Sequence, residues 1–454
     1  MASAAEQLAA NLNYGAFARA TDLHKRLWYT LGALIVYRLG TYIPIPGINL
    51  AVFERAFSGQ ANGILGIFNT FSGGAVQRMA IFSLNVMPYI SASIIIQLMG
   101  TIYPPWEKLR KEGGEAGRKQ LNQYTRYLTV VLAIAQSFGI AMGLQSQQGV
   151  VQDPGPFFLV STIAILTGGT LFLMWLGEQI TSRGVGNGVS LLIFAGIVAQ
   201  LPTALFNMFS LARTGAMSPF LLLVIFAGAV GVILAIVFVE RSQRRLLVQY
   251  PKRQVGNRMY GGDSSFMPLK INTAGVIPPI FASSLLALPA TAQPWLAKAS
   301  LPSWMAWLPG VLGQLRMGSP LHMVLYALLM IFFSFFYTSI VFNPDETAEN
   351  LRKYGGFLPG VRPGKRTAER LDYVLSRLTV LGAAYITVVC LLPEALYSVN
   401  NAFTLGGTSI LIAVTVTMDT VAQIQSHLLA HQYEGLIKKS KLRAGRTPAV
   451  RGAR

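Results

Sequence analysis

One cysteine in 454 residues, Cys390, is too few for an internal disulfide, an iron–sulfur cluster or a Cys-rich zinc site. It lies in the apolar stretch Val374–Leu392 and reads as a small buried hydrophobe. Charge is scarce too. Only 12% of residues are Asp, Glu, Lys or Arg, against roughly 25% in ordinary soluble domains. That is too little to wet a soluble surface of this size, and it argues against a plain soluble enzyme. Catalytic signatures are missing: there is no H-E-x-x-H and no G-x-S-x-G. His427 and His431 stand four apart, but no carboxylate lies between them to complete a metal site. Gly364-Lys365-Arg366-Thr367 lacks the upstream glycine of a phosphate-binding loop. Gly184-x-Gly186-x-Gly188 follows no strand and reads as a helix breaker. No cofactor, metal or enzymatic activity is expected.

What is present is apolar. Hydrophobic residues make up 52% of the chain, and the mean hydropathy is +0.48. Yet the net charge is +19, from 37 basic and 18 acidic residues. An integral membrane protein with basic loops fits both facts. A helix needs about 20 mostly apolar residues to cross a bilayer. Ten candidates lie near Leu27–Ile43, Met79–Ile102, Tyr127–Leu144, Phe157–Leu176, Val189–Phe206, Pro219–Val239, Ala274–Ala292, Met323–Phe342, Val374–Leu392 and Phe403–Val421. The expected fold class is all-α and polytopic, because hydrocarbon tolerates no unpaired backbone groups. The first run starts late and continues past signal-peptide length, so it is read as a span and not a cleavable signal.

Basic residues test this count. With the N-terminus inside, thirty of the 37 fall in inside segments and five outside, Arg55, Arg78, Arg213, Lys298 and Arg316. Arg38 and Arg377 lie within spans, near their ends, where long side chains can snorkel. Both termini are therefore expected in the cytosol. Asp419 and Glu178 sit towards inner ends of spans, leaving the midplane apolar. Ten spans with both ends inside permit two inverted halves of five. No internal sequence repeat is evident.

Three regions are not simple spans. Ala61–Gln77 is apolar, uncharged and broken by Gly and Ser, so it is either a re-entrant segment or a loose outer loop. Span two holds Pro88, Ser91, Ser93 and Gln97, and span seven holds Gly275, Pro278-Pro279, Ser283 and Ser284. Small polar residues let helices approach and hydrogen-bond across a seam, although ordinary packing accounts for them as well. The loops Glu240–Asn272 and Asn343–Tyr373 carry thirteen basic residues, more than topology needs, and suggest docking to something large and acidic. On these residues a channel and an ion-coupled secondary transporter of a small solute both stand. The charge-poor midplane counts against the transporter.

Longer strings carry a resemblance. They are Tyr42-Ile43-Pro44-Ile45-Pro46-Gly47, the run MPYISASIIIQL from Met87 to Leu98, Trp175-Leu176-Gly177-Glu178-Gln179-Ile180-Thr181, Gly184-Val185-Gly186-Asn187-Gly188, Gly275-Val276-Ile277-Pro278, Phe342-Asn343-Pro344, the run from Pro359 to Gly364, and Gln432-Tyr433-Glu434. In this order they resemble the SecY family, the channel subunits of the bacterial Sec translocon, over essentially the whole chain.

The resemblance implies an hourglass pore between two halves of five helices, passing unfolded secretory chains and releasing hydrophobic segments sideways between helices two and seven. It implies a pore ring of Val86, Ile90, Val189, Ile193, Ile280 and Ile412, with Val at two positions where several relatives carry Ile. It places a plug at about 61–77, including Phe68, Phe71, Ser72, Gly73 and Gly74, and a lateral gate at Ser91, Ser93, Gln97 and Ser283. It implies docking of the motor ATPase SecA and of the ribosome through Arg253, Arg258, Arg362, Lys365 and Arg366. Relatives often show adjacent arginines where this chain has Asn257-Arg258. Further expected partners are SecE-like and SecG-like small membrane subunits, signal-bearing unfolded polypeptides and anionic lipids, all at the bacterial inner membrane. The implied division is a cytosolic segment 1–26, an N-terminal half 27–239 whose sixth helix opens the second half from about 219, a docking loop 240–273, helices seven to ten over 274–430 with the second loop 343–373, and a basic tail 431–454.

Overall fold

The computed structural model describes residues 21–60, 69–111, 113–145, 147, 149–215, 218–250, 253–255, 258–260, 264–291, 307–315, 319–399 and 406–444. A helix occupies each of the ten expected spans. They are α1 (Thr21–Gly40), α3 (Met87–Ile102), α5 (Gly114–Gln145), α6 (Pro156–Arg183), α7 (Gly188–Arg213), α8 (Pro219–Arg241), α9 (Ile277–Thr291), α11 (Pro320–Val341), α13 (Lys365–Val399) and α14 (Gly407–Ala444). Shorter helices α2 (Leu50–Gln60), α4 (Pro104–Lys111), α10 (Leu308–Gly313) and α12 (Pro344–Lys353) lie between them.

Among the described residues, seven helices are long and apolar enough to cross a membrane, namely α5 to α8, α11, α13 and α14. Helices α3 and α9 are apolar but short, at 16 and 15 residues. The expected helix from Met79 does not form: residues 72–79 and 81–86 run in turns, and α3 starts at Met87. Met79 and Asn85 adopt positive φ, 39° and 50°, which no α-helix accommodates. Pro88 then sits at the first turn, where its missing N–H costs nothing. Helix α9 starts the same way, with Gly275 at φ 63° and Pro278 one residue into the helix. At the other extreme, α14 runs on to Ala444, well into the segment expected to be a tail.

The two basic loops form one body. Strands β1 (Gln243–Gln249) and β4 (Ser264–Lys270) pair antiparallel, Gln243 opposite Lys270 and Gln249 opposite Ser264. A second short pair, β2 (Arg253–Val255) and β3 (Arg258–Tyr260), extends between them. Gln249 and Phe357 exchange both backbone hydrogen bonds at 2.9 Å, joining the first loop to the second. Val248, Ala348, Leu358, Ala368 and Leu371 make a separate small core beneath this joint. Asn343 caps α12 by accepting from the Asp345 and Glu346 amides, and Pro344 takes its first position. The Phe342-Asn343-Pro344 string is thus a helix start.

The main core lies among the long helices and gathers residues from α1, α3, α5 to α9, α11, α13 and α14. Among the described residues, one buried ionisable pair crosses it. His322 of α11 meets Glu394 of α13, Nδ1 to Oε1 at 2.7 Å, at the end remote from the basic loops. Removing one member of such a buried pair costs about 3–5 kcal/mol. His322→Ala is expected to lower the unfolding temperature in detergent well below that of Glu394→Gln, which keeps an acceptor for the imidazole. Equal thermal shifts would show that a neutral acceptor cannot replace the carboxylate at this contact.

Candidate pore and plug seat

The six aliphatic residues proposed for the ring share one placement. Val86 is the N-cap of α3 and Ile90 its fourth residue; Val189 and Ile193 lie in the first two turns of α7. Ile280 is fourth in α9 and Ile412 sixth in α14. Four helix starts therefore meet. Five of these side chains are buried in one apolar cluster, and Val189 packs against it. Above the cluster, towards the basic loops, lies a cavity of about 520 Å³. Ile90, Val189, Ile193 and Ile280 line it together with Tyr89, Arg126 and Glu178. The Arg126 guanidinium forks onto the Glu178 carboxylate, Nε to Oε1 at 3.0 Å and Nη2 to Oε2 at 2.7 Å. This fixes α5 against α6 at the cavity wall.

The local sequences Asn85-Val86-Met87-Pro88-Tyr89-Ile90 and Gly275-Val276-Ile277-Pro278-Pro279-Ile280 match in spacing. Each has a left-handed residue, then Val, an apolar residue, Pro, and Ile two residues later. This echo between the halves is visible in sequence, but it is too short to stand out among 454 residues before the turns are known.

Beside the cluster sits the segment proposed as a plug. Phe71 closes a short helical stretch and Ser72, Gly73 and Gly74 follow in a turn, all four buried; Phe68 lies outside the described residues. Side chains from several elements capture its carbonyls. Gln200 Nε2 donates to Asn69 O at 2.8 Å, Asn85 Nδ2 to Phe71 O at 2.7 Å and Tyr37 Oη to Ser72 O at 3.3 Å. Arg38 Nη1 and Arg78 Nη2 converge on Gly73 O at 2.7 and 3.0 Å. Arg38 thus turns towards the plug segment, where snorkelling alone was expected. Its guanidinium and that of Arg78 also lie 4.8 and 4.1 Å from the Tyr42 ring centroid. Nothing in the sequence singled out these donors.

The expected gate residues lie on α3 and α9, which pack against each other. They do not bond across the seam. Gln97 Nε2 donates to Ser93 Oγ within α3, and Ser283 Oγ to the Ile280 carbonyl within α9. Ser91 is buried. Among the described residues, the polar contact that spans the seam is Ser284 Oγ to Met87 Sδ at 3.8 Å, a weak bond. Local partners are in reach on a helix, and Ser283 and Gln97 donate there, while Gln97 Oε1 stays buried without a hydrogen-bond partner. On the basic body, Arg362, Lys365 and Arg366 are exposed. Arg253 and Arg258 begin β2 and β3, with side chains outside the described residues.

Comparison with known proteins decides the family. The SecY family model matches residues 80–421. The protein translocase subunit SecY of Rickettsia bellii (strain RML369-C) is 52% identical over 429 residues, 93% of this chain and 98% of that protein. The chain belongs to the SecY family. It is a multi-pass, non-enzymatic subunit forming the protein-conducting channel of the Sec translocon. Two solved structures share the fold at 18% identity, each covering 89% of this chain and 92% of the other. One, described as a protein-conducting channel, superposes with TM-score 0.66. The other, Sec61 in the canine ribosome–channel complex, gives 0.63.

In this SecY-family chain, α7 approaches the segment proposed as a plug through Gly196, where a Cβ would collide with the Phe71 carbonyl oxygen. Gly196→Val is expected to displace that turn and raise ion conductance severalfold in planar bilayers. Gly228→Val, with no atom within 4 Å of its Cβ, is the control. Equal conductance in the two variants would show that this contact does not seat the segment.

Proposed function

We propose that the four helix starts form the constriction through which unfolded chains pass, and that α3 and α9 part to release hydrophobic segments into lipid. The observation that carries this reading is the cavity floored by Ile90, Val189, Ile193 and Ile280, with the buried turn Phe71–Gly74 belonging to the same apolar cluster. Branched apolar side chains hold no polar chain tightly, so diverse sequences slide past them. When the ring is closed, the same surface resists wetting and ion flow. The turn acts as the plug. A seam closed by apolar contact and one bond to sulfur opens without breaking a strong polar bond. The midplane lacks the ionisable groups that an ion-coupled transporter needs.

The exposed Arg362, Lys365 and Arg366, with Arg253 and Arg258 on the adjoining hairpin, form the docking face for SecA and the ribosome. One canine relative of the fold is known in a ribosome complex. The charge alternation supports both termini in the cytosol and insertion in the bacterial inner membrane, with anionic lipid against the basic side. SecE-like and SecG-like subunits would cover part of the apolar helix surface left outward.

Two outcomes are expected. Ile90→Gly with Ile280→Gly should raise ion leak in planar bilayers, and unchanged conductance would remove both from the constriction. Arg362→Glu should slow motor-driven export about tenfold, the scale of one lost charge contact, while sparing insertion of membrane segments. Equal loss of both activities would point to misfolding.

A further inference from the structure

The docking body and the gate helix are separate structures, so something must connect them. The connection is the six-residue linker 271–276 between β4 and α9. Its centre is Asn272, which is 3% exposed although it stands at the foot of an exposed hairpin. The Asn272 amide is used at both ends. Nδ2 donates to Glu240 Oε1 at 2.5 Å and to the Gly275 carbonyl at 3.1 Å. Oδ1 accepts from the Gly275 N–H at 3.0 Å.

These bonds set the start of α9. Gly275 is held at φ 63°, a conformation that a side chain clamped onto its peptide can enforce. Two residues later the helix begins, and Ile280 follows within its first turn. Glu240 is itself buried in the last turn of α8, so the clamp is anchored to a membrane helix. At the hairpin foot, Ile271 N donates to Ser242 O at 3.2 Å. From the other side α13, which begins in the docking body, packs flush on the linker: a Cβ at Gly382 would lie 2.9 Å from the Ile271 carbonyl. Lys270 also reaches Asp419 of α14 at 3.9 Å, but both are well exposed and this contact is weak. The buried clamp is the stronger link.

We propose that Asn272, anchored by Glu240, is the positioning residue that transmits a load on the docking hairpin to the start of α9. A partner that tilts the hairpin moves Asn272, and Asn272 moves the Gly275 turn that aims the gate helix. Without the clamp the hairpin still binds its partner, but the gate no longer responds. This inference rests on the docking role proposed above.

The test uses the full chain in its membrane complex, reconstituted in proteoliposomes. Cysteines replace Met87 and Ser284, whose side chains touch across the seam, in a Cys390→Ser background. Disulfide yield reports seam closure. In the parent, SecA with ATP should lower the yield. In Asn272→Ala, SecA should bind as before, yet leave the yield unchanged, and export should fall about fivefold or more. Gly275→Val provides a second variant: its Cβ meets no atom within 4 Å, so it disturbs only the turn. It should uncouple in the same way. Asn272→Asp should fail, and Glu240→Gln added to it should restore the response, because a glutamine amide can donate to the new carboxylate. SecA lowering the yield equally in Asn272→Ala and the parent would overturn the inference. So would loss of SecA binding in Asn272→Ala, since the residue would then only shape the hairpin. A parent that never responds to SecA would overturn the docking reading as well.

Discussion

Irregular backbone inside a membrane protein must find its hydrogen bonds within the protein, because lipid offers none. That constraint shapes the centre of this chain. The turns over residues 72–79 and 81–86 expose carbonyls that a helix would have paired. The structure answers with Tyr37, Arg38, Arg78, Asn85 and Gln200, each placed by a different local geometry around the same loop. Close helix approach at Gly196 completes the seat. A net hydrogen bond from a charged donor contributes about 1.5–3 kcal/mol, against about 1 for a neutral one. The two arginines on Gly73 O are therefore the strongest fasteners in the loop.

The two ends of the molecule are held by different forces. The body built from the two basic loops is read as lying outside the hydrocarbon, and burial of Val248, Leu358 and Leu371 there carries the ordinary aqueous driving force, about 1.5–3 kcal/mol for each side chain. Among the membrane helices that force is missing, since lipid tails are as apolar as leucine. Packing, the Arg126–Glu178 fork and the His322–Glu394 pair hold them instead. A body with its own core can move as a unit against helices that are fastened at a few points. Asn272 lies where those two regimes meet.

How much of this the sequence discloses depends on whether a feature repeats. Span positions are legible because twenty apolar residues and alternating basic loops are long signals. Their ends are not: Met79 looks like the start of a span, but left-handed Asn85 and the proline after it delay α3 to Met87. The ring is illegible without family likeness, since aliphatic residues fill every span. The plug donors are illegible for a different reason. Arg38 near a span end fits snorkelling as well as clamping, and only the loop's path tells them apart. The joining of the two basic loops is a pair of backbone bonds, Gln249 with Phe357, that leaves no mark on side-chain pattern. The seam shows the reverse error. Its polar residues promised bonds between helices, but Gln97 donates to Ser93 and Ser283 to the Ile280 carbonyl, each within its own helix.

That error bears on how such a channel opens. Had Ser91, Ser93, Gln97 and Ser283 bonded across the seam, parting α3 from α9 would strand polar groups in hydrocarbon, at a few kcal/mol for each. Because Gln97 Nε2 and Ser283 Oγ donate within their own helices, parting α3 from α9 breaks neither bond. What crosses the seam is dispersion and a contact to sulfur, and a hydrophobic segment lying between the helices can replace both. The seat of the proposed plug is built on the opposite principle, with carbonyls held by side-chain donors from several elements. Releasing it leaves Gly73 O and two guanidiniums needing water, so that step favours a wet pore. Under the proposed roles, an apolar guest suffices to part the seam, whereas displacing the plug requires that water or a polar chain follow.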